Sequence, residues 1–438
     1  MNTNFCMEYV VSACSMFGYM LQNNKCIELA VPKLTEGTHH KFSMLYNAYT
    51  ETKHAKILKE KYGNSIFNIH ADSGGLQIVI LGKSNTPEIR DGVYLNQSEF
   101  AQVGMCFDEI PLDNDRMDKM AKVTHAAKTL RTKDMFEFGK NTGLNIKRQL
   151  EVFEQQKSEC LPQLIIQGNA PEDFKNFYEG AKEALGSDIE KLRGCALADT
   201  CIGTSVLDAC DMLSMMQHLN LPDNLRKNVH LLGVGSIKRM LPALIMSQSG
   251  FLDKDIHISY DSSRHSNAPI FGNAPHQHSE SFGQYGIGQH DNPKMRKSAK
   301  DIWNVFHEAI SVIFEDESDW VETYVKAYSG TFTNAKDITH LEDGPEKTRL
   351  TERLNLTKML LTFINIKTFI GHAERVLENP ERACHLYGMK ALAGLNKVTD
   401  YESYLRWRKT AYSSLNDNNR IKRDVDIVKK TDLCGFFG

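Results

Sequence analysis

Three carboxylates in this sequence directly follow short apolar runs, the arrangement found when a strand carries an acid to a ligand site. They are Asp72 after Ile66 to Ala71, Asp108 after Val103 to Phe107, and Asp261 after Ile256 to Tyr260. One such carboxylate could attack a carbon, and a second could shuttle a proton if its environment gives it a different pKa. A third could accept hydrogen bonds from the N–H groups of a ligand.

The first of these acids opens the segment Asp72-Ser73-Gly74-Gly75-Leu76-Gln77. Its two glycines would let a ligand approach the backbone closely. The alternative is a tight turn in which Asp72 only caps the next element.

Apolar, strand-like runs alternate with helical patterns along the first 261 residues, which is typical of a parallel sheet. The runs are Cys26 to Val31, Phe42 to Tyr46, Ile66 to Ala71, Val103 to Phe107, Gln163 to Ile166, Leu192 to Leu197, Val229 to Val234 and Ile256 to Tyr260. Eight is the number that closes a (β/α)8 TIM barrel, which is therefore the predicted fold for residues 1–261. The first two runs are the weakest, because Met7 to Met20 could also supply a strand. Helices are predicted over Asn114 to Phe138, Leu144 to Cys160, from Pro171 onward, Ser205 to Leu219 and Ile237 to Gln248.

Two regions follow the predicted barrel. Residues 262–296 are rich in His, Gly and Asn and are predicted to form an irregular insertion. Residues 297–438 are predicted to form a helical C-terminal region that packs on the barrel. Its predicted helices span Lys297 to Phe314, Trp320 to Tyr328, Glu346 to Leu377 and Tyr401 to Ser414.

Polar and glycine-containing segments fall at the carboxyl ends of the predicted strands, where TIM barrels place their active sites. They are Tyr46-Asn47-Ala48-Tyr49, Asp72-Ser73-Gly74-Gly75, Phe107-Asp108-Glu109, Gln167-Gly168-Asn169, Leu232-Gly233-Val234-Gly235 and Tyr260-Asp261-Ser262, with Gly194-Cys195-Ala196 in the sixth strand. Helix capping alone does not explain so many polar segments at strand ends. The alternative is a barrel in which these acids have purely structural roles.

Over roughly Phe42 to Asn267, the chain resembles the tRNA-guanine transglycosylase family in the order of five motifs. These are D-S-G-G-L-Q, F-D-E, I-I-Q-G, H-L-L-G-V-G and Y-D-S. The resemblance implies a barrel enzyme, a pentosyltransferase, that exchanges guanine in nucleic acid for a 7-deazaguanine without a required cofactor. It implies that Asp261 is the nucleophile and Asp72 the general acid/base. By the same resemblance, the base is bound by Ser73, Asp108, Gln167, Gly168, Gly194, Cys195 and Gly233, between Leu76 and Leu232, and Asn47 supports the sugar.

The sequence departs from the family after Asp261. The family carries C-x-C-x-x-C and a later His as a structural zinc site, and this chain lacks those cysteines. We therefore expect no structural zinc. His276, His278 and His290 are the residues that could form a histidine-based site, and a His-rich polar loop is the other interpretation.

In these departures the chain resembles a divergent branch of the family, encoded by phages and genomic islands. Members of that branch insert a preQ0-like 7-deazaguanine into DNA. The expected partners are thus DNA and a free 7-deazaguanine base. A homodimer is compatible with the sequence. Arg264, Lys294, Arg296, Lys297 and Lys300 would contact DNA, as would the tail residues Arg420, Lys422 and Arg423, unless these are only solvated helix faces. The alternatives are a tRNA substrate or a non-catalytic subunit of the family. Retention of Asp72 and Asp261 argues against the last.

Composition sets the remaining limits. Net charge is −3, so no global positive field attracts nucleic acid. The ten cysteines are scattered without C-x-x-C, which is typical of a reducing compartment. No apolar run reaches the ~20 residues of a membrane span, and no basic leader precedes one. A cytoplasmic protein is expected, in the host cell if phage-encoded.

Overall fold

The computed structural model describes residues 6–12, 26–63, 66–80, 85–111, 134–168, 170–198, 206–234, 237–262, 273–275, 284–286 and 340–417. Eight strands close into one barrel. They are β1 Cys6–Ser12, β2 His40–Asn47, β3 Ile69–Asp72, β4 Val103–Met105, β5 Leu161–Ile166, β6 Gly194–Leu197, β7 Asn228–Leu231 and β8 His257–Ser262. Each strand pairs in parallel with its neighbours, and β1 closes the ring on β8. The predicted (β/α)8 fold is confirmed.

The prediction of a strand over Cys26 to Val31 is wrong. These residues begin a helix, α1 (Cys26–Thr35). The first strand is β1 (Cys6–Ser12), which starts one residue before the alternative segment Met7 to Met20 and otherwise lies in it. Parallel strands need a crossover, and α1 supplies it between β1 and β2. Val31 and Leu34, three residues apart, are both buried, which is the spacing of one helix face.

The remaining strands of the barrel are also separated by helices. They are α2 Thr52–Ile57 with a π-helical turn at Leu58–Tyr62, α3 Gly75–Ile80, α4 Pro87–Phe100, α5 Met135–Gln156, α6 Pro171–Leu185, α7 Asp208–His218, α8 Asp223–Lys227 and α9 Ile237–Met246. The helix predicted over Asn114 to Phe138 lies mostly outside the described residues, and α5 begins at Met135. Helix α6 begins as predicted, with Pro171 at its first position and two acids in its first turn.

The described C-terminal residues pack on the barrel through their helices. These are α10 Pro345–Glu378, α11 Pro380–Leu386 and α12 Tyr401–Asp417, with two short 3-10 turns between α11 and α12. Helix α10 lies against α1 and α9, and its Glu374 binds the ring Nδ1 atoms of His39 and His40. Helix α12 is fixed by Asp211 of α7, which accepts hydrogen bonds from Tyr404 and Arg408.

Part of the predicted insertion forms a small antiparallel sheet. Its strands are β9 (Asn273–Pro275) and β10 (Gln284–Gly286), and β9 lies against α10. The rest of residues 263–296 and the helices predicted over Lys297 to Phe314 and Trp320 to Tyr328 lie outside the described residues. Within the described part of the chain, no helix is long and apolar enough to cross a membrane.

Candidate active site

The structure brings Asn47, Asp72, Asp108, Gln167 and Asp261 to one end of the barrel. Asn47 and Asp72 are the last residues of β2 and β3 and are register partners. Asp108 and Gln167 follow β4 and β5, and Asp261 is the penultimate residue of β8. Because all eight strands are parallel, these carboxyl ends share one rim.

Asp72 has a carboxyl group poised to gain or lose a proton near neutral pH. Burial raises its pKa to about 7, and the negative charges of Asp108 and Asp261 raise it further. The backbone N–H groups of Ser73 and Gly74 donate to the carboxylate and oppose the shift only in part. Because the charges of both other acids act on Asp72, the three carboxyl groups lie near one another at the rim.

The turn after β3 requires glycine at position 74. Gly74 has φ +75°, and a Cβ there would lie 2.8 Å from Asn47 Oδ1. That Asn47 oxygen accepts the N–H groups of Tyr49 and Thr50, at 3.0 and 3.2 Å. The buried Ser73 hydroxyl accepts the Gly75 N–H at 3.2 Å. Asn47 and Ser73 therefore both shape the backbone beside Asp72.

Asp108 and Gln167 form a second polar pair at the rim. Gln167 Nε2 donates to Asp108 Oδ2 at 2.5 Å. Burial raises the pKa of Asp108 to about 6, and the Gln167 bond partly opposes this. Gln167 is 2% exposed, yet its Oε1 has no hydrogen-bond partner among the described residues. A buried acceptor without a donor is costly, so a ligand N–H at this point would relieve it.

Gly168 follows Gln167 and lies against the first turn of α6. A Cβ at this position would lie 2.7 Å from Phe174 N, so only glycine allows this close approach.

Asp261 is held by the end of β7. The Gly233 N–H donates to Asp261 Oδ1 at 2.6 Å, and His230 Nε2 lies 3.3 Å from the same oxygen. Gly233 has φ +65°, which turns its N–H group toward β8 after the strand ends. The predicted wall residue Leu232 lies at this turn and is partly buried.

The barrel interior below the rim is polar. Glu8 of β1 is buried, and its Oε1 accepts hydrogen bonds from Ser43, Asn68 and His70. His257 Nε2 lies 2.9 Å from the other oxygen, Glu8 Oε2. Burial alone would raise the pKa of Glu8, but His70 and His257 bring it well below its usual value. The His70 ring lies 5.7 Å from the His230 ring, so polar groups continue from Glu8 to Asp261.

Gly194 and Cys195 are not part of this rim. They are the first two residues of β6, so they precede the carboxyl end of the strand that forms the rim. Cys195 Sγ contacts Leu225 O and Met216 Sδ in the surrounding helices, and burial raises its pKa to about 12. A Cβ on Gly194 would lie 2.1 Å from Asn228 O, so this glycine serves strand packing. The placement corrects the expectation that these residues face a base at the rim.

Other predicted site residues lie outside the described part of the chain. These are the Leu76 side chain, the nucleic-acid candidates Arg264, Lys294, Arg296, Lys297, Lys300, Arg420, Lys422 and Arg423, and the histidines His276, His278 and His290. Within the described ranges, no three His, Cys, Asp or Glu side chains are grouped so as to hold a metal ion.

Sequence reasoning missed the role of His230. It stands in an apolar run, where a lone histidine is expected to be a satisfied core residue. The predicted strand Val229 to Val234 gave a signal, since alternation would put His230 on the same face as the expected wall residue Leu232. In the structure β7 ends at Leu231, and Leu232 lies in the turn that follows. The sequence also gave Gly233 a base-binding role, whereas the structure has its N–H group on Asp261.

Comparison of the chain with protein-family models and with curated protein sequences gives no match.

Proposed function

We propose that the protein is a transglycosylase that replaces guanine in DNA with a preQ0-like 7-deazaguanine base through a covalent aspartyl–sugar intermediate. The observation that carries the proposal is the cluster of three carboxyl groups in three different environments at one rim. Asp261 accepts N–H groups on one oxygen, Asp72 titrates near neutrality, and Asp108 is bonded to an amide. A base exchange needs three such different groups.

The reaction assigns one role to each of two acids. An Asp261 oxygen bonds to C1′ of the sugar as the bond from C1′ to guanine N9 breaks, and the bonding electron pair leaves with the base. Asp72, as a carboxylic acid, gives its proton to the departing guanine. The resulting Asp72 carboxylate takes a proton from the incoming base, which attacks C1′ and releases Asp261. A pKa of about 7 suits both directions of this transfer.

The remaining pair is suited to reading the base. Guanine and 7-deazaguanines present N–H donors at N1 and the exocyclic amino group. Asp108 has its pKa at about 6, so at neutral pH it is an ionised, acceptor-only group. The unpartnered Gln167 Oε1 is a second acceptor beside it. Two adjacent acceptors match two adjacent donors.

DNA is favoured over tRNA by the sequence after Asp261, which lacks the cysteine cluster of the tRNA enzymes that the chain resembles. A guanine in duplex DNA must be extruded before Asp261 can reach its sugar. The basic residues proposed to hold the strands lie in segments outside the described residues.

The test is to incubate the protein with radiolabelled guanine and either duplex DNA or tRNA. Label in DNA that depends on Asp261 supports the proposal. The matched control is Asp261→Asn, which keeps an oxygen for the Gly233 N–H but is a poor nucleophile. Label in tRNA alone would establish the tRNA alternative, and label in neither polymer would favour a non-catalytic subunit.

A further inference from the structure

Both hydrogen bonds to the Asp261 carboxylate fall on one oxygen. Gly233 N–H and His230 Nε2 meet Oδ1, and no group among the described residues bonds to Oδ2. His230 is completely buried, whereas Asp261 is 7% exposed. The carboxylate is thus fixed from the barrel side, with one oxygen left for the rim.

Ser259 can set the position of the proton on His230. An ionised carboxylate only accepts, so a bond to Asp261 requires the proton on Nε2. The other nitrogen, Nδ1, lies 2.9 Å from Ser259 Oγ, and Val229 O lies 3.4 Å from the same hydroxyl. The hydroxyl has one proton, and donating it over the shorter contact, to Nδ1, favours the tautomer with the ring proton on Nε2. Ser259 and Asp261 are two residues apart on the inner face of β8. The strand that carries the acid therefore also carries the group that orients the histidine.

We propose that His230 is a positioning residue for the nucleophile: it holds Asp261 Oδ1 so that Oδ2 is the oxygen that bonds to the sugar. This inference rests on the proposed function of Asp261. It assigns no contact with the base or the sugar to His230 itself.

The hydrogen bond should also affect how easily the intermediate is released. When Oδ2 bonds to C1′, the carboxylate loses its charge and Oδ1 becomes an ester carbonyl. Hydrogen bonds to charged acceptors are roughly twice as strong as those to neutral ones. The His230 bond therefore stabilises free Asp261 more than the ester, and helps the incoming base to displace it.

Substitutions at His230 separate positioning from packing. His230→Met fills the site without a donor, while His230→Gln can place an amide N–H near the Nε2 position. Ser259→Ala keeps the ring but removes the group that fixes its tautomer. His70→Gln is the matched control, because His70 is as deeply buried and touches the His230 ring but bonds to Glu8 rather than Asp261.

The experiment measures the denaturant-resistant protein–DNA adduct at a fixed concentration of free guanine, together with the rate at which it forms. For His230→Met we expect about tenfold more adduct at equilibrium and slower formation. His230→Gln and His70→Gln should both stay near wild type, and Ser259→Ala should lie between. An unchanged adduct level in His230→Met, or an equal rise in His70→Gln, would overturn the inference.

A second measurement needs no substrate. Nitrogen-15 NMR of the free protein should show His230 with a proton on Nε2, and a proton on Nδ1 alone would refute the positioning bond. If wild-type protein forms no adduct with DNA or tRNA, the proposed function fails, and this inference fails with it. If wild type forms adduct and His230→Met matches it, only the positioning role fails.

Discussion

Asp72→Asn should make the folded protein more stable at pH 8, even though it removes a residue proposed to act in catalysis. The pKa of Asp72 is raised from 3.8 to about 7, chiefly by burial. Between about pH 4 and 7 the unfolded chain carries an ionised Asp72 while the folded chain keeps it protonated. Stability therefore falls as pH rises through this window, and above pH 7 the full cost is present.

The magnitude follows from the shift. About three pKa units correspond to at most about 4 kcal/mol, at about 1.4 kcal/mol per unit. Asp72 keeps some solvent exposure at the rim, so we expect a gain of about 1–3 kcal/mol at pH 8. The gain should shrink steadily as the pH is lowered and vanish near pH 4. Asn keeps a carbonyl oxygen for the Ser73 and Gly74 N–H groups, so the turn should survive.

Urea unfolding at pH 8, 6 and 4 measures this directly. The matched control is Asp91→Asn, because a hydrogen bond from Arg148 lowers the pKa of Asp91 on the barrel surface. That variant should be slightly less stable at pH 8, by roughly 0–1 kcal/mol, and approach wild type as the pH falls. Loss of stability in Asp72→Asn at pH 8, or a gain independent of pH, would refute the assignment of a raised pKa.

Three further predictions follow from the same structure. Asp108→Asn should lower the pKa of Asp72 by roughly one unit, because a nearby negative charge is removed, whereas Glu109→Gln should leave that pKa unchanged. Carbon-13 NMR of the free protein measures the Asp72 pKa in both variants, and equal shifts would contradict the carboxyl cluster. Gly139→Ala should destabilise the fold by about 2 kcal/mol or more in thermal unfolding, since its Cβ would lie 1.8 Å from Phe177 O where α5 meets α6, while Gly92→Ala, with open space around it, should not. Metal analysis of the purified protein should find no stoichiometric zinc, because the cysteine cluster is missing; one zinc per chain would instead direct attention to His276, His278 and His290.

The fold was largely predictable because strand runs in a parallel barrel are short, buried and separated by helical patterns. Seven of the eight strands were found from such runs. The failure at Cys26 to Val31 has a physical origin: six mostly apolar residues fit a buried strand and a buried helix face equally well. The choice of helix over strand follows from the crossover that the parallel strands β1 and β2 require. That requirement is a property of the whole fold and not of these six residues.

The site was predictable where a residue stands at, or just past, the carboxyl end of a strand. Asp72, Asp108, Gln167 and Asp261 reach one rim because parallel strands end together. Gly194 and Cys195 were assigned to the base by the resemblance alone, although the predicted sixth strand, Leu192 to Leu197, already placed them before its carboxyl end. His230 was missed because its importance depends on the distance from β7 to Asp261 on β8, which the sequence alone does not give.

The most direct test of the central claim is to map the covalent intermediate. Wild-type protein is incubated with a guanine-containing DNA duplex, denatured and digested, and the peptides are analysed by mass spectrometry. The proposal predicts a sugar-linked DNA adduct on Asp261 within the β8 peptide, and none in Asp261→Asn. An adduct on another residue, or base exchange that proceeds in Asp261→Asn, would contradict it.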